Sequence, residues 1–431
     1  MSNIRIDMPS DVAHIIDILE QNGHEAFAVG GCVRDAIMGR IPHDWDITTS
    51  AKPHQVKALF RRTIDTGIQH GTVTIMIGST GYEVTTYRID GTYSDGRHPE
   101  EVTFTTNLVE DLKRRDFTIN AMAYNNRAGV IDEFNGIDDL NNGIIRCVGE
   151  AAERFTEDAL RILRAIRFSA QLNFSIDEAT ANAITLIAPN LKKISRERIQ
   201  TELDKLITSA HPDRITLVQA YGLTPYIFDN ADILLDNNIT VYNNIAELMN
   251  ELPQNHFLRW SAITVLENNP QAVLKGLKFD NNTIDVCKKL HAISRLNLPT
   301  DKPYLRRLIV KFGKELFDDY VFTFLKVLHQ NHISELDVNM KKSPMNTGCP
   351  EIPSIDITSI DEVHGLYNEI ISNGDCISMK DMAVKGADLM AIGMAPGKQL
   401  GTVLNNLFQQ VLDDPSLNDK DMLLKMAEQM M

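Results

Sequence analysis

No apolar run in this 431-residue sequence approaches the ~20 residues that an α-helix needs to cross a bilayer, so a helical membrane protein is not expected. Cysteine is scarce. The five, Cys32, Cys147, Cys287, Cys349 and Cys376, are odd in number, scattered and without a CxxC, which argues against a disulfide framework and against the common zinc sites. There is no tandem repeat and no low-complexity tract. The opening stretch MSNIRIDMPSDVAHIIDILEQ has no signal-peptide core, and a cytoplasmic protein is the expectation. Basic residues are also in deficit, 43 against 58 acids for a net charge of −15, which argues against wholesale coating of nucleic acid.

Net charge governs solubility and association, however, and leaves room for a local basic stripe. Three such stripes occur: Lys113-Arg114-Arg115, then Arg161, Arg164 and Arg167, then Lys192, Lys193, Arg196 and Arg198. Each alone reads as a solvated helix face or as a surface for phosphate. With 43% hydrophobic and 23% charged residues the composition is that of a globular protein, and the length implies roughly two to four domains.

The first third reads as α/β. DVAHIIDILEQ has helical periodicity, FAVGG is a short apolar strand ending in glycines, VRDAIMG is a helix and DWDITTS a strand. TVTIMIG and YEVTTYR alternate with period 2 and are joined by GSTG, a hairpin signal. FTINAMAYN and VIDEF are further strand candidates. Beyond about Gly149 the chain turns helical, with AERFTEDALRILRAIRFSAQL and RERIQTELDKLITSA as amphipathic segments. KKSPMNTGCPEIPSIDITS reads as a linker, and VKGADLMAIGMAPGKQLGTVLNNLFQQVL as a last helical unit.

GGCVRDAIMGRIPHDWD, from Gly30 to Asp46, combines bare backbone with paired carboxylates. Gly30 and Gly31 at a strand-to-helix turn let an anion approach the main chain without a Cβ in the way, and Arg34 adds a charged contact. The alternative is a plain turn. Asp44 and Asp46, spaced i, i+2, project from one face of a strand. That arrangement holds two divalent metals ~3.5–4 Å apart during phosphoryl or nucleotidyl transfer. Glu83 is a candidate third carboxylate or a surface residue. Arg115 can hold a phosphate, while Asp116 and Asn120 can orient it or bond a ribose hydroxyl.

Helical spacing from Glu157 to Leu172 places Asp158, Arg161 and Arg164 in one polar stripe, with Arg167 continuing its drift and Leu160, Leu163, Ile166 and Ala170 turned to the core. Thr156 as a cap, with Glu157 and Asp158 in a first turn, is the structural reading of the acids. The functional one is an Asp158–Arg161 pair at i, i+3 that sets an acceptor beside a donor. Cytosine and adenine both offer an exocyclic amine next to a ring nitrogen acceptor. Uracil and guanine reverse the pattern, so such a pair would accept C and A.

Taken together, GGCVRDAIMGRIPHDWDITT, HGTVTIMI, RRDFTINAMAYN, EDALRILRAIRFSAQLNF and the later VKGADLMAIGMAPGKQLGTVL resemble the class II tRNA nucleotidyltransferases, the CCA-adding enzymes. The resemblance implies an α+β chain with a small mixed β-sheet nucleotidyltransferase head (1–145), then an all-α neck (146–215), body (216–342), and linker with tail (343–431). It implies addition of CCA to the tRNA 3′ end from CTP and ATP with Mg²⁺. Asp44 and Asp46 would be the catalytic metal ligands. Gly31, Arg34 and Arg115 would bind the nucleotide, Asp158 and Arg161 would read its base, and Arg164 and Arg167 would support that site. Body and tail would grip tRNA, where Gly386, Gly393, Gly397, Lys398 and Gly401 either meet phosphate or close turns.

The resemblance leaves room for a CC-adding or A-adding relative. Bacterial poly(A) polymerases share the head and neck motifs but would carry a more basic C-terminal extension than LDDPSLNDKDMLLKMAEQMM. A non-catalytic tRNA-binding protein would not need Asp44 and Asp46. GTYSDGRHPEEV, from Gly91 to Val102, reads as a mobile connection, and its presence agrees with the resemblance, since CC-adding relatives lack such a loop. Seating a purine after two pyrimidines requires something beside the pocket to move. Trimming Thr92 to Arg97 is therefore expected to spare C addition and greatly weaken A addition. Product lengths on tRNA ending before CCA decide: accumulation at CC supports the gating role, and equal yields of CC- and CCA-terminated product from trimmed and intact protein end it.

Overall fold

The computed structural model describes residues 4–91, 102–236, 238–299, 301–333 and 351–430. The Thr92–Arg97 segment lies outside them. Among the described residues the chain forms two compact units. The first holds the residues up to Asn230 with 234–242 and 276–278; the second holds 231–233, 243–275 and 279 onward.

The first unit opens with α1 (Ser10–Gln21), which buries Val12, Ile15, Ile16 and Leu19 along one stripe. Then follow β1 (Ala26–Val29), α2 (Gly31–Ile37), β2 (Ile47–Thr49), α3 (Pro53–Leu59), β3 (Thr63–Gly67), β4 (Thr72–Ile77) and β5 (Thr80–Thr86). A small ladder of β6 (Arg88–Asp90) and β7 (Val102–Phe104) precedes α4 (Leu108–Lys113), β8 (Ala123–Asn125) and β9 (Gly129–Ile131). The main sheet has seven strands in the order β3-β4-β5-β2-β1-β8-β9. Within it β2 and β5 run parallel and the other neighbours antiparallel, because α3, β3 and β4 form the crossover between those two. The central β1, AFAV, is buried at every position, as expected of a strand covered on both faces. The β4–β5 hairpin closes through two residues, and Gly78 at φ 61 occupies the first, where a type II′ turn favours glycine.

FTINAMAYN yields only its last three residues to the sheet. Thr118–Asn120 instead forms a 3₁₀ turn. Its side chains find better partners than a ladder would give: Thr118 Oγ1 donates to Asp139 Oδ2 at 2.7 Å, and Asn120 bonds Arg34 and Asp116.

Downstream come α5 (Gly136–Asn142), β10 (Ile144–Ile145), α6 (Ala151–Glu157), α7 (Leu160–Leu172), β11 (Ser175–Ile176), α8 (Glu178–Ile187) and α9 (Arg196–Ile207). The two-residue β11, parallel to β10, is the one strand past Gly149 among the described residues. Leu160, Leu163, Ile166 and Ala170 are buried as the helical period requires.

The second unit is helical throughout its described residues. Trp260, fully buried, meets Phe279 edge-on with ring centroids 4.6 Å apart. Helix Ile357–Ser372 starts inside the linker-like stretch, where Asp356 accepts from Thr358 N at 3.2 Å; residues 341–350 of that stretch lie outside the described set. Helices Gly386–Ala391, Lys398–Asp413 and Lys420–Glu428 share a core built on Leu389, Leu407, Phe408, Val411 and Leu423. No helix among the described residues is long and apolar enough to cross a membrane.

Candidate active site

The turn between β1 and α2 requires glycine. Gly30 sits at φ 83, a region that side-chain-bearing residues rarely adopt, and a Cβ there would lie 3.1 Å from Arg115 Nη1. At Gly31 a Cβ would meet Arg34 Nη2 at 3.6 Å. Gly30 thus lets the Arg115 guanidinium rest against bare main chain, whereas at Gly31 a Cβ would make only ordinary contact.

Asp44 and Asp46 do not lie within the β2 ladder, as the sequence suggested, but on the extended segment just before it. Val29 N still donates to Asp46 O at 3.0 Å; beyond that point β1 turns away at Gly30, and the segment loses its partner on that side. The period-2 alternation persists: Trp45 is buried, and both carboxylates are exposed on one face. They line a recess of about 600 Å³ together with His43, Tyr82 and Glu83. Neither carboxylate accepts a hydrogen bond from another described residue. Partial burial in the recess raises the pKa of Asp46; the Arg115 charge pulls it down, and Asp44 pushes it up again. Two like charges in one recess, without a hydrogen-bond donor, suit a divalent cation. Glu83 shares the recess, yet no group of three or more His, Cys, Asp or Glu poised to hold a metal occurs among the described residues.

The RRD motif is organised by a residue that the sequence reading passed over. Asp111 on α4 is completely buried and accepts from Arg114 Nε at 3.0 Å, Arg115 Nη2 at 3.5 Å and Thr48 Oγ1 at 3.1 Å. Burial works to raise its pKa, but the charges of Arg114 and Arg115 prevail and hold it below the usual value. The signal was present: Asp111 stands beside Leu108 and Leu112, where the helical period calls for an apolar side chain. Asp116 is nearly as deep. Its Oδ2 takes both Arg164 Nε (2.7 Å) and Arg164 Nη2 (2.6 Å), and its Oδ1 takes Asn120 Nδ2 (3.2 Å). Asn120 Oδ1 in turn receives Arg34 Nη1 at 2.6 Å. One hydrogen-bonded path therefore runs from α2 through the RRD motif to α7.

The helix expected to run unbroken from Glu157 to Leu172 breaks at Asp158, whose backbone is extended (φ −143, ψ 102). The carboxylate wins against continued helix: its Oδ1 accepts from Leu160 N at 3.0 Å, starting α7, while Oδ2 takes Arg198 Nη2 from α9 at 2.7 Å. Thr156, expected as a cap, donates instead to Ala152 O. Asp158 and Arg161 are consequently not paired with each other. Arg161 bonds Glu157 at 2.7 Å and Arg114 O at 3.0 Å. Arg34, Arg164 and Arg167 do converge, each within 5.4 Å of the Phe168 ring centroid. Arg167 is buried against Glu202 at 2.6 Å.

A family model described as the poly A polymerase head domain matches residues 26–146. One for a probable RNA and SrmB-binding site of polymerase A matches 173–234, and a putative tRNA nucleotidyltransferase domain 2 matches 356–427. The CCA-adding enzyme of Leuconostoc mesenteroides is 36% identical over 97% of this chain and 96% of its own length; that of Levilactobacillus brevis is 37% identical over 95% of each. The chain belongs to the CCA-adding enzymes. A crystal structure of the Bacillus stearothermophilus CCA-adding enzyme in complex with CTP superposes with a TM-score of 0.74 at 28% identity, covering 98% of both chains. A nucleotidyltransferase of this family carries a mixed-sheet head followed by a largely helical remainder, as found here. Such enzymes typically use a divalent metal.

In this CCA-adding enzyme Asp116 is the buried charge whose ionisation is easiest to read. Burial opposes its charge, but Arg164 and Arg161, with bonds from Arg164 and Asn120, outweigh that and lower its pKa to about 2. A depressed folded-state pKa stabilises the fold fully above the unfolded value near 4 and loses that contribution as pH falls toward 2, roughly 2 kcal/mol in all. The melting-temperature gap between wild type and Asp116→Asn is therefore expected to shrink as pH drops from 5 to 2. A gap independent of pH over that range would remove the ion pair from the account.

Proposed function

We propose that this chain adds CCA to the 3′ end of tRNA from CTP and ATP, without a nucleic-acid template, releasing pyrophosphate in the cytoplasm. The observation that carries the reading is the exposed Asp44–Asp46 pair beside Arg115, which itself packs on Gly30.

Asp44 and Asp46 would hold Mg²⁺, which when bound supplies Lewis-acid stabilisation of the reacting phosphate and of the charge on the departing pyrophosphate. Arg34 and Arg115, with the Gly31 main chain, bind the triphosphate. Asp158 and Arg161 read the base. Asp158 spends three acceptor positions on Leu160 N and the two Arg198 nitrogens, leaving one of about four. Arg161 keeps Nε uncommitted, since its bonds run through Nη1 and Nη2. An acceptor and a donor remain for the amine and ring nitrogen that cytosine and adenine share. Arg164 and Arg167 support that site. Residues 1–145 act as head, 146–215 as neck, 216–342 as body, and 343–431 as linker and tail, with tRNA gripped by body and tail.

Incubating tRNA that lacks its terminal triplet with each nucleotide separately and together, then sequencing the product, tests the reading. CTP alone should give CC, CTP with ATP should give CCA, and UTP and GTP should be refused; products ending in A alone, or stopping at CC with both nucleotides, would redefine the activity. Asp46→Ala is expected to abolish addition while leaving tRNA binding intact, because metal ligation and tRNA gripping use different parts of the chain. Addition at near wild-type rate by the purified variant would remove the metal assignment.

A further inference from the structure

Three guanidinium groups share one phenyl ring in the first unit. The central carbons of Arg34, Arg164 and Arg167 stand 5.1, 5.4 and 4.1 Å from the Phe168 ring centroid. Phe168 is 5% exposed, and its ring abuts Phe117 at 5.8 Å and 83°, so it is packed in place. Each arginine has its own carboxylate, and the three carboxylates come from different elements: Asp35 on α2, Asp116 after α4 and Glu202 on α9. The ring is the contact common to all three cations, and the negative face of an aromatic ring attracts a guanidinium where an aliphatic surface would not.

The hydrogen bonds leave one guanidinium nitrogen unengaged on each of Arg164 and Arg167. Arg164 uses Nε and Nη2 on Asp116, and Arg167 uses Nε on Glu202 and Nη1 on Gln171. Arg164 Nη1 and Arg167 Nη2 have no partner among the described residues. Burial alone explains an apolar side chain at position 168, but an aliphatic one would satisfy burial too. The carboxylates offset the three like charges, and the π-face adds an attraction that an aliphatic side chain would not give.

We infer that Phe168 is a positioning residue for nucleotide binding, its π-face rather than its bulk keeping the free nitrogens of Arg164 and Arg167 available to the incoming nucleoside triphosphate. This rests on the assignment of those two arginines to the nucleotide site. The test compares Phe168→Leu, Phe168→Trp and pentafluorophenylalanine at 168, which keeps the ring shape but reverses its quadrupole. KM for CTP and ATP, kcat and Tm are measured on the full chain with tRNA. Leu and the fluorinated ring are expected to raise both KM values about tenfold or more, and Trp to stay within about threefold of wild type, whatever the order of their Tm values. If the Leu variant does not fold, the fluorinated ring decides by itself. A fluorinated variant with wild-type KM, or a Trp variant impaired as much as the Leu variant, overturns the inference. Arg164→Ala and Arg167→Ala separate the two levels: unchanged KM in both would mean that the nucleotide site itself is misassigned, whereas raised KM there with none at position 168 would remove only the role of the ring.

Discussion

The ion pair between buried Asp116 and half-buried Arg164 is the constraint on which the proposed site depends. Asp116 belongs to the sheet-bearing part of the first unit and Arg164 to the helix carrying the arginines of the EDALRILRAIRF segment. A carboxylate this deep is costly unless it is paired and its remaining lone pairs are satisfied. Here two guanidinium nitrogens, the Asn120 amide and the Phe117 N–H supply the partners. Breaking the pair would strand a charge in the protein interior, so the relative placement of the RRD motif and α7 is tightly specified. Asn120 extends the same path to Arg34 beside the glycine turn.

A second buried acid does the same for the carboxylate side. Asp111 ties Thr48, two residues beyond Asp46, to Arg115, the cation whose charge reaches Asp46. The cations proposed to bind triphosphate and the carboxylates proposed to hold metal are thereby tied to common supports. That economy suits an enzyme whose chemistry consists chiefly of positioning and charge stabilisation. Gly30, whose φ of 83 favours glycine, stands where those supports meet the turn.

Much of this was legible in the chain. Period-2 alternation and the GSTG turn announced the β4–β5 hairpin, and an i, i+2 pair of aspartates flanking Trp45 announced two carboxylates on one face. What stayed hidden depended on distant partners. Helical periodicity runs smoothly through TEDALRIL, and nothing local shows that Asp158 would rather cap α7 and bond Arg198, forty residues away, than continue the turn. FTIN has the composition of a strand, but Asp139 and Arg34, reached only through tertiary structure, draw Thr118 and Asn120 into a 3₁₀ turn. Phe168 is core by burial; its second property, a face shared by three cations, belongs to the assembled site.

The central claim is that Asp116 and Arg164 act as a unit in preparing the site for nucleotide. A double-mutant cycle with Asp116→Asn, Arg164→Gln and the double variant, read in kcat/KM for CTP addition, measures it directly. Non-additivity is predicted: the double variant should be no worse than the worse single variant, a coupling of at least about 1.5 kcal/mol for so close a charged pair. Losses that simply add would contradict the account.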